Sequence, residues 1–238
     1  MTQRRYSPTY RFIAGVVKPF LWLMGRKRWT GTENLHRPEG FIAAANHASL
    51  LDPLATAHVL YNNGAPPRIM AKAELWKVFG LGALLRGSGQ IPVERRTRQA
   101  ADSLVAAQAA LEAGECVLIF PEGTLTLDPN AWPMVAHTGV ARLALTSGAP
   151  VIPLAQWGST AILPRKAKFP TLRRTTFQAL VGEPVDLTDL RPQPGAQPTP
   201  EALAEGTRRI MAAITTQLAQ LRGETPPAEP FDRRKAGV

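Results

Sequence analysis

Along the middle of the chain, short apolar runs alternate with stretches in which apolar residues recur at helical spacing. Phe41 to Ala45 is an uninterrupted apolar run, and Asn46 to Asp52 opens a helical pattern that reaches Leu60. Arg68 to Ala71 is strand-like and Glu74 to Leu85 helical, with a short strand at Ile91 to Val93. Thr97 to Ala113 is Ala-rich with helical periodicity and is ended by Gly114. Cys116 to Phe120 is a buried strand, Val140 to Ser147 a helix and Val151 to Leu154 another strand. Thr176 to Val181 alternates like a late strand at the sheet's edge. Repeated strand–helix units predict a single α/β domain over 31–190, with helices covering a central sheet.

The two ends follow other patterns. Phe12 to Met24 is apolar but broken by Lys18 and Pro19, where a lost hydrogen bond predicts a kink. On a helical wheel Arg11, Gly15 and Lys18 form one narrow stripe, and apolar residues from Phe12 to Met24 cover the rest. Residues 1–30 therefore read as an amphipathic segment lying on an anionic membrane surface, with Trp22 and Trp29 near headgroup depth. Lys18-Pro19 and the lack of a small-residue cleavage site argue against a secretory signal. Residues 191–199 form a Pro-rich linker, and Thr199 and Pro200 suit the N-cap and first position of a helix over 200–222. Leu203, Ile210, Ile214, Leu218 and Leu221 give that helix one apolar face, for packing on the core. In 223–238 Pro and charge dominate, which predicts a disordered tail.

Composition narrows the classes. Hydrophobic residues at 45% against 19% charged allow a sizeable core and exclude a mostly disordered chain. Twenty-eight Lys and Arg against eighteen Asp and Glu leave +10, a field that favours phosphorylated ligands, anionic lipid or nucleic acid. The basic excess is crowded at the start, before Glu33, the first acidic residue. Few interleaved aromatics and no recognisable module argue against nucleic acid. A single cysteine, Cys116, excludes an internal disulfide and a Cys-rich metal site, and its apolar strand makes it inert packing. No apolar run approaches the roughly 20 residues that span a bilayer.

Candidate chemistry sits at strand ends. Asn46-His47-Ala48-Ser49-Leu50-Leu51-Asp52 follows a strand; His47 is a natural general base and Asp52 could fix its tautomer. Five residues apart on a regular helix the two would point about 140° apart, so they pair only if His47 precedes the first turn. Phe120-Pro121-Glu122-Gly123-Thr124 forms a turn that presents a carboxylate and exposes backbone N–H groups. Ile91-Pro92-Val93-Glu94-Arg95-Arg96 ends a strand in guanidinium groups suited to phosphate. No Gly-x-Ser-x-Gly elbow is present, which disfavours a serine hydrolase.

The order of these motifs, with Lys72-x-Glu74-Leu75 and Val151-Ile152-Pro153-Leu154, resembles the glycerophospholipid acyltransferase family, and most of all its bacterial 1-acylglycerol-3-phosphate acyltransferases, over about Gly31 to Val185. The resemblance implies one α/β domain with a central mixed β-sheet flanked by helices. It implies an enzyme that moves a fatty acyl chain from acyl-CoA, or an acyl carrier protein, to a lysophospholipid acceptor and yields phosphatidate. No metal and no cofactor beyond the acyl-CoA co-substrate are implied. His47 would be the general base and Asp52 its orienting partner. Substrate contacts would fall to Asn46, Lys72, Arg95, Glu122, Gly123, Thr124 and Pro153, with Arg95 on the acceptor phosphate. The protein would sit at the cytoplasmic face of the cell membrane.

Two departures bear on the acceptor. The family often continues Glu-Gly-Thr with Arg-Ser, where this chain has Leu125-Thr126, and a common Lys-x-Gly is His137-Thr138-Gly139 here. Phosphate recognition then falls more heavily on Arg95 and Lys72, or the acceptor is another lysophospholipid, a glycolipid or glycerol 3-phosphate. A catalytically silent membrane-binding module is the reading from a different class, and the intact His47 and Asp52 argue against it.

Overall fold

The computed structural model describes residues 6–94, 100–167, 169–171, 174–193 and 195–237, with backbone alone at residues 100 and 101. Seven strands form one mixed sheet in the order β1-β7-β6-β2-β5-β3-β4, where β1 is Gly25–Thr30, β2 Phe41–Ala45, β3 Pro67–Lys72, β4 Ile91–Val93, β5 Cys116–Ile119, β6 Val151–Trp157 and β7 Thr175–Val181. Every pairing is parallel except β6 with β7. The helices are α1 Pro8–Met24, α2 Asp52–Asn62, α3 Leu81–Gly87, α4 Ala100–Glu112, α5 Gly139–Ser147, α6 Ser159–Ile162 and α7 Pro200–Arg222.

The central strand explains the layering. All five residues of β2 are buried, and their side chains alternate between two cores. Ile42 and Ala44 pack with Val140 and Leu143 of α5 and with Ile210 and Ile214 of α7. Phe41, Ala43 and Ala45 face the other way, against Val59 and Leu60 of α2. Because β2, β5 and β6 run parallel, their carboxyl ends open on one edge, where ligands of α/β sheets bind.

Several boundaries differ from those the sequence predicts. Gly25–Thr30, inside the segment read as a separate membrane element, is an edge strand paired with β7, and its exposed Arg26, Lys27 and Arg28 guard that edge. β7 is consequently internal rather than at the edge. The pattern from Glu74 to Leu85 splits into a 3-10 turn over Ala73–Lys77 and α3, because Val78 is extended and Gly80 adopts φ 75°. α2 begins at Asp52, not Asn46, and β6 runs on to Trp157. α1 continues through Pro19 to Met24. Residues 97–99, expected to open α4, lie outside the described residues.

The tail is also a correction. α7 starts at the Thr199 cap and stops at Gly223, in the left-handed region with φ 64°. Beyond it the chain turns back instead of running free. The Arg222 guanidinium lies 4.0 Å from the Trp132 ring centroid and 4.4 Å from that of Trp157. Phe231 bridges Met134, and its carbonyl accepts the Val135 N–H at 2.9 Å. An aromatic anchor and a backbone pairing thus hold a stretch whose composition alone suggests disorder.

Candidate active site

At the end of β2 the chain leaves the sheet, and Asn46 replaces the lost backbone pairing with its side-chain amide. Its Oδ1 accepts the Gln156 N–H at 2.8 Å and its Nδ2 donates to the Gln156 carbonyl at 3.1 Å. The following loop wraps a carboxylate. Oδ2 of Asp52, fully buried, accepts the N–H groups of Ala48 at 2.6 Å and Ser49 at 2.7 Å, and lies 3.1 Å from His47 Nδ1. Oδ1 accepts the Ser159 hydroxyl in a short hydrogen bond. This wrapped turn is the non-helical geometry that a pair five residues apart requires. Asp52 opens α2, with its charge at the positive end of the helix.

His47 is held on every other side. Its N–H donates to Glu122 Oε1 at 3.0 Å, its carbonyl accepts the Thr126 N–H at 2.7 Å, and its ring stacks on Phe120 with centroids 4.3 Å apart. Since a carboxylate only accepts, Nδ1 carries a proton, and it is the neutral ring that leaves a lone pair on Nε2. Such an arrangement is chemically suited to a general base.

The Glu122 turn braces the His47 loop from within. Gly123, at φ 71°, closes it through its N–H to the Phe120 carbonyl at 2.9 Å. The Glu122 side chain faces inward, 1% exposed, with Oε1 on the His47 amide and Oε2 on the Met134 amide at 3.0 Å. Burial pushes its carboxyl up to about 8, against the pull of the Met134 and His47 amides. Glu122 therefore ties the backbone at His47 to that at Met134.

That shift has a thermodynamic signature. With the folded pKa raised from 4.5 to about 8, the proton is held more tightly in the folded protein, so this group's stabilisation is complete below 4.5 and is lost as pH rises toward 8. The limiting slope is about 1.4 kcal/mol per pH unit. Glu122→Gln cannot titrate, and thermal melts from pH 5 to 8 should show a shallower fall for the variant. Parallel pH profiles would refute the shift.

Beside this turn lies a cavity of about 580 Å³, walled by Met70, Val93, Leu104, Phe120, Gly123 and Arg233 among others. Of the expected contacts, Gly123 lines it, and half-buried Thr124 follows in the same turn. Arg95 lies outside the described residues, two positions beyond Val93. The structure places the other three expected residues away from the cavity wall. Asn46 spends its amide on Gln156. Pro153 is buried within β6 opposite Ala44, its carbonyl accepting the Gly182 N–H at 2.9 Å. Lys72 pairs with Glu74 at 3.3 Å on the surface. Among the described residues no three His, Cys, Asp or Glu side chains gather as a metal site.

Sequence reasoning missed Ser159, Gln156, Thr126 and Arg233. The first two could have been suspected, since a polar residue at or just past the end of a parallel strand lands beside the ends of its neighbours. Nothing in the sequence points to Arg233.

Comparison with known proteins adds an independent line. A sequence model of the family described as Acyltransferase matches residues 26–157, more than half of the chain. A 1-acyl-sn-glycerol-3-phosphate acyltransferase of Bacillus subtilis is 27% identical over 214 residues, covering 89% of this chain and 100% of its own. The enzyme of the same name from Borreliella burgdorferi is 33% identical over 140 residues, 58% of this chain, and the match spans only 54% of that relative. The crystal structure of the 1-acyl-sn-glycerophosphate acyltransferase PlsC from Thermotoga maritima superposes with a TM-score of 0.69 at 23% identity, over 91% of this chain and 81% of that one, and shows the same fold.

Proposed function

The chain belongs to the acyltransferase family, and from that premise we propose that it moves a fatty acyl group from acyl-CoA to the free hydroxyl of 1-acyl-sn-glycerol 3-phosphate. The observation that carries the mechanism is the His47 ring fixed 3.1 Å from a fully buried Asp52, with Nε2 left to accept a proton. Both full-length and partial relatives bear the name of that activity.

In this reading the acceptor hydroxyl gives its proton to His47 Nε2 as its oxygen attacks the thioester carbonyl. The imidazolium is steadied by the Asp52 carboxylate while negative charge builds on the carbonyl oxygen. The tetrahedral adduct collapses, the carbon–sulfur bond breaks, and the CoA thiolate takes the proton back from His47. The test is thiol release from palmitoyl-CoA with detergent-dispersed 1-acylglycerol 3-phosphate. Release that requires the acceptor is expected. No release from acyl-CoA, with transfer only from an acyl carrier protein, would overturn the donor; no transfer from either would overturn the reaction.

The same reading places the enzyme at the cytoplasmic face of the membrane, where both substrates present their chains. Its support is the outer face of α1, on which Phe12, Val16, Trp22 and Leu23 are 64%, 59%, 72% and 65% exposed beside Arg11 and Lys18. Leu21 and Met24 on the opposite side are buried. No helix among the described residues is long and apolar enough to cross a membrane. Because β1 starts at Gly25, deleting the N-terminal segment would cut the sheet, so point substitutions are the cleaner test. Combining Phe12→Glu, Trp22→Glu and Leu23→Glu should abolish cosedimentation with anionic vesicles and leave the melting temperature unchanged. Undiminished vesicle binding would remove α1 from the membrane contact.

A further inference from the structure

The turn that frames the cavity carries no cation of its own, since Leu125 and His137 occupy the positions where the family resemblance leads one to expect Arg and Lys. The structure brings one from the far end of the chain. Phe231, bridged to Met134, sets the register of the returning tail, and two residues later Arg233 extends over the cavity. Its Nη2 lies 2.9 Å from His137 Nε2 and donates to it. His137 in turn leans on the Gly123 turn: a Cβ at Gly123 would meet its ring at 3.0 Å, and its N–H donates to the Pro121 carbonyl at 3.0 Å.

Arg233 is half-buried, and among the described residues no carboxylate pairs with it; the neighbouring Asp232 faces Arg234 at 3.8 Å. One N–H of the guanidinium is spent on His137, which leaves the rest of a planar donor fork at a cavity lined by Phe120 and Gly123. Phe120 is also the ring on which the general base stacks. A guanidinium in such a place is built to take a phosphate with two parallel hydrogen bonds.

We propose that Arg233, delivered by the C-terminal tail, binds the phosphate of the acceptor and supplies the cation that the turn around Gly123 lacks. This rests on the reading of the acceptor as a phosphomonoester. The tail is then a wall of the active site, and Arg233 orients the glycerol so that its free hydroxyl faces His47.

The experiment uses the full chain with Arg233→Ala and Arg233→Lys, and reads thiol release, calorimetric binding of 1-acylglycerol 3-phosphate and thermal melting. Arg233→Ala should raise the apparent KM for the acceptor by roughly 10- to 100-fold, the range lost with hydrogen bonds to a charged partner. The KM for acyl-CoA and the melting temperature should hold, and Arg233→Lys should recover part of the loss. An Arg233→Ala enzyme with unchanged acceptor KM and unchanged acceptor binding overturns the proposal alone. So does a loss that appears equally in the KM for acyl-CoA or as a lowered melting temperature, because that marks a merely structural tail. A wild type that binds the acceptor without turnover overturns the reaction, and a loss of that binding in Arg233→Ala still supports the phosphate site. A wild type that neither binds nor uses the acceptor overturns both.

Discussion

His47→Ala should lower turnover by roughly 10³- to 10⁴-fold, the upper part of what a positioned general base contributes, and leave the fold intact. The second half of that expectation comes from how the residue is held. Two of its four restraints, the N–H to Glu122 and the carbonyl to Thr126, belong to the backbone and survive the substitution. The Asp52 carboxylate loses one donor but keeps the amides of Ala48 and Ser49 and the hydroxyl of Ser159. No buried polar group is orphaned, so the melting temperature should move by no more than roughly 3 °C. Thiol release and a thermal melt on the same preparation check both halves. Near-normal turnover in a folded variant would remove His47 from the chemistry.

What could be read in advance divides along physical lines. The strands of the central sheet announce themselves because both faces are buried, as in Phe41–Ala45, where every residue is apolar. β1 does not, because an edge strand needs only one buried side and its three consecutive basic residues look like a membrane patch. His47 and Asp52 are legible as a pair since their spacing demands a loop, and a βα junction supplies one. Ser159 stands 107 residues from its Asp52 partner, and only the parallel pairing of β2 with β6 brings the two together. Glu122 shows a further limit: its motif is visible, yet only burial tells that the carboxylate holds backbone amides. Pro and charge hide the order of the tail, which depends on Phe231 finding the Met134 strand bridge.

The other large effect separates charge from hydrogen bonding at Asp52. In Asp52→Asn the amide oxygen can take the place of Oδ2 and keep the Ala48, Ser49 and His47 donors. The NH2 then occupies the place of Oδ1, and the Ser159 hydroxyl, which rotates freely about its bond, turns from donor to acceptor. Geometry and tautomer survive while the negative charge behind the imidazolium is gone. Turnover should fall by roughly 10²- to 10⁴-fold with little change in melting temperature. Asp52→Ala behaves differently: it strands two buried amides and a hydroxyl, each at about 1–3 kcal/mol, and the melting temperature should drop by more than roughly 6 °C. Asp52→Asn turnover near that of the wild type would mean that Asp52 serves only to shape the loop. A melting temperature for Asp52→Ala equal to that of the wild type would mean that the loop does not depend on the carboxylate at all. The expected split, with Asp52→Asn failing in rate and Asp52→Ala in both, assigns one buried carboxylate two tasks: folding the turn through Oδ2 and steadying the charged base during transfer.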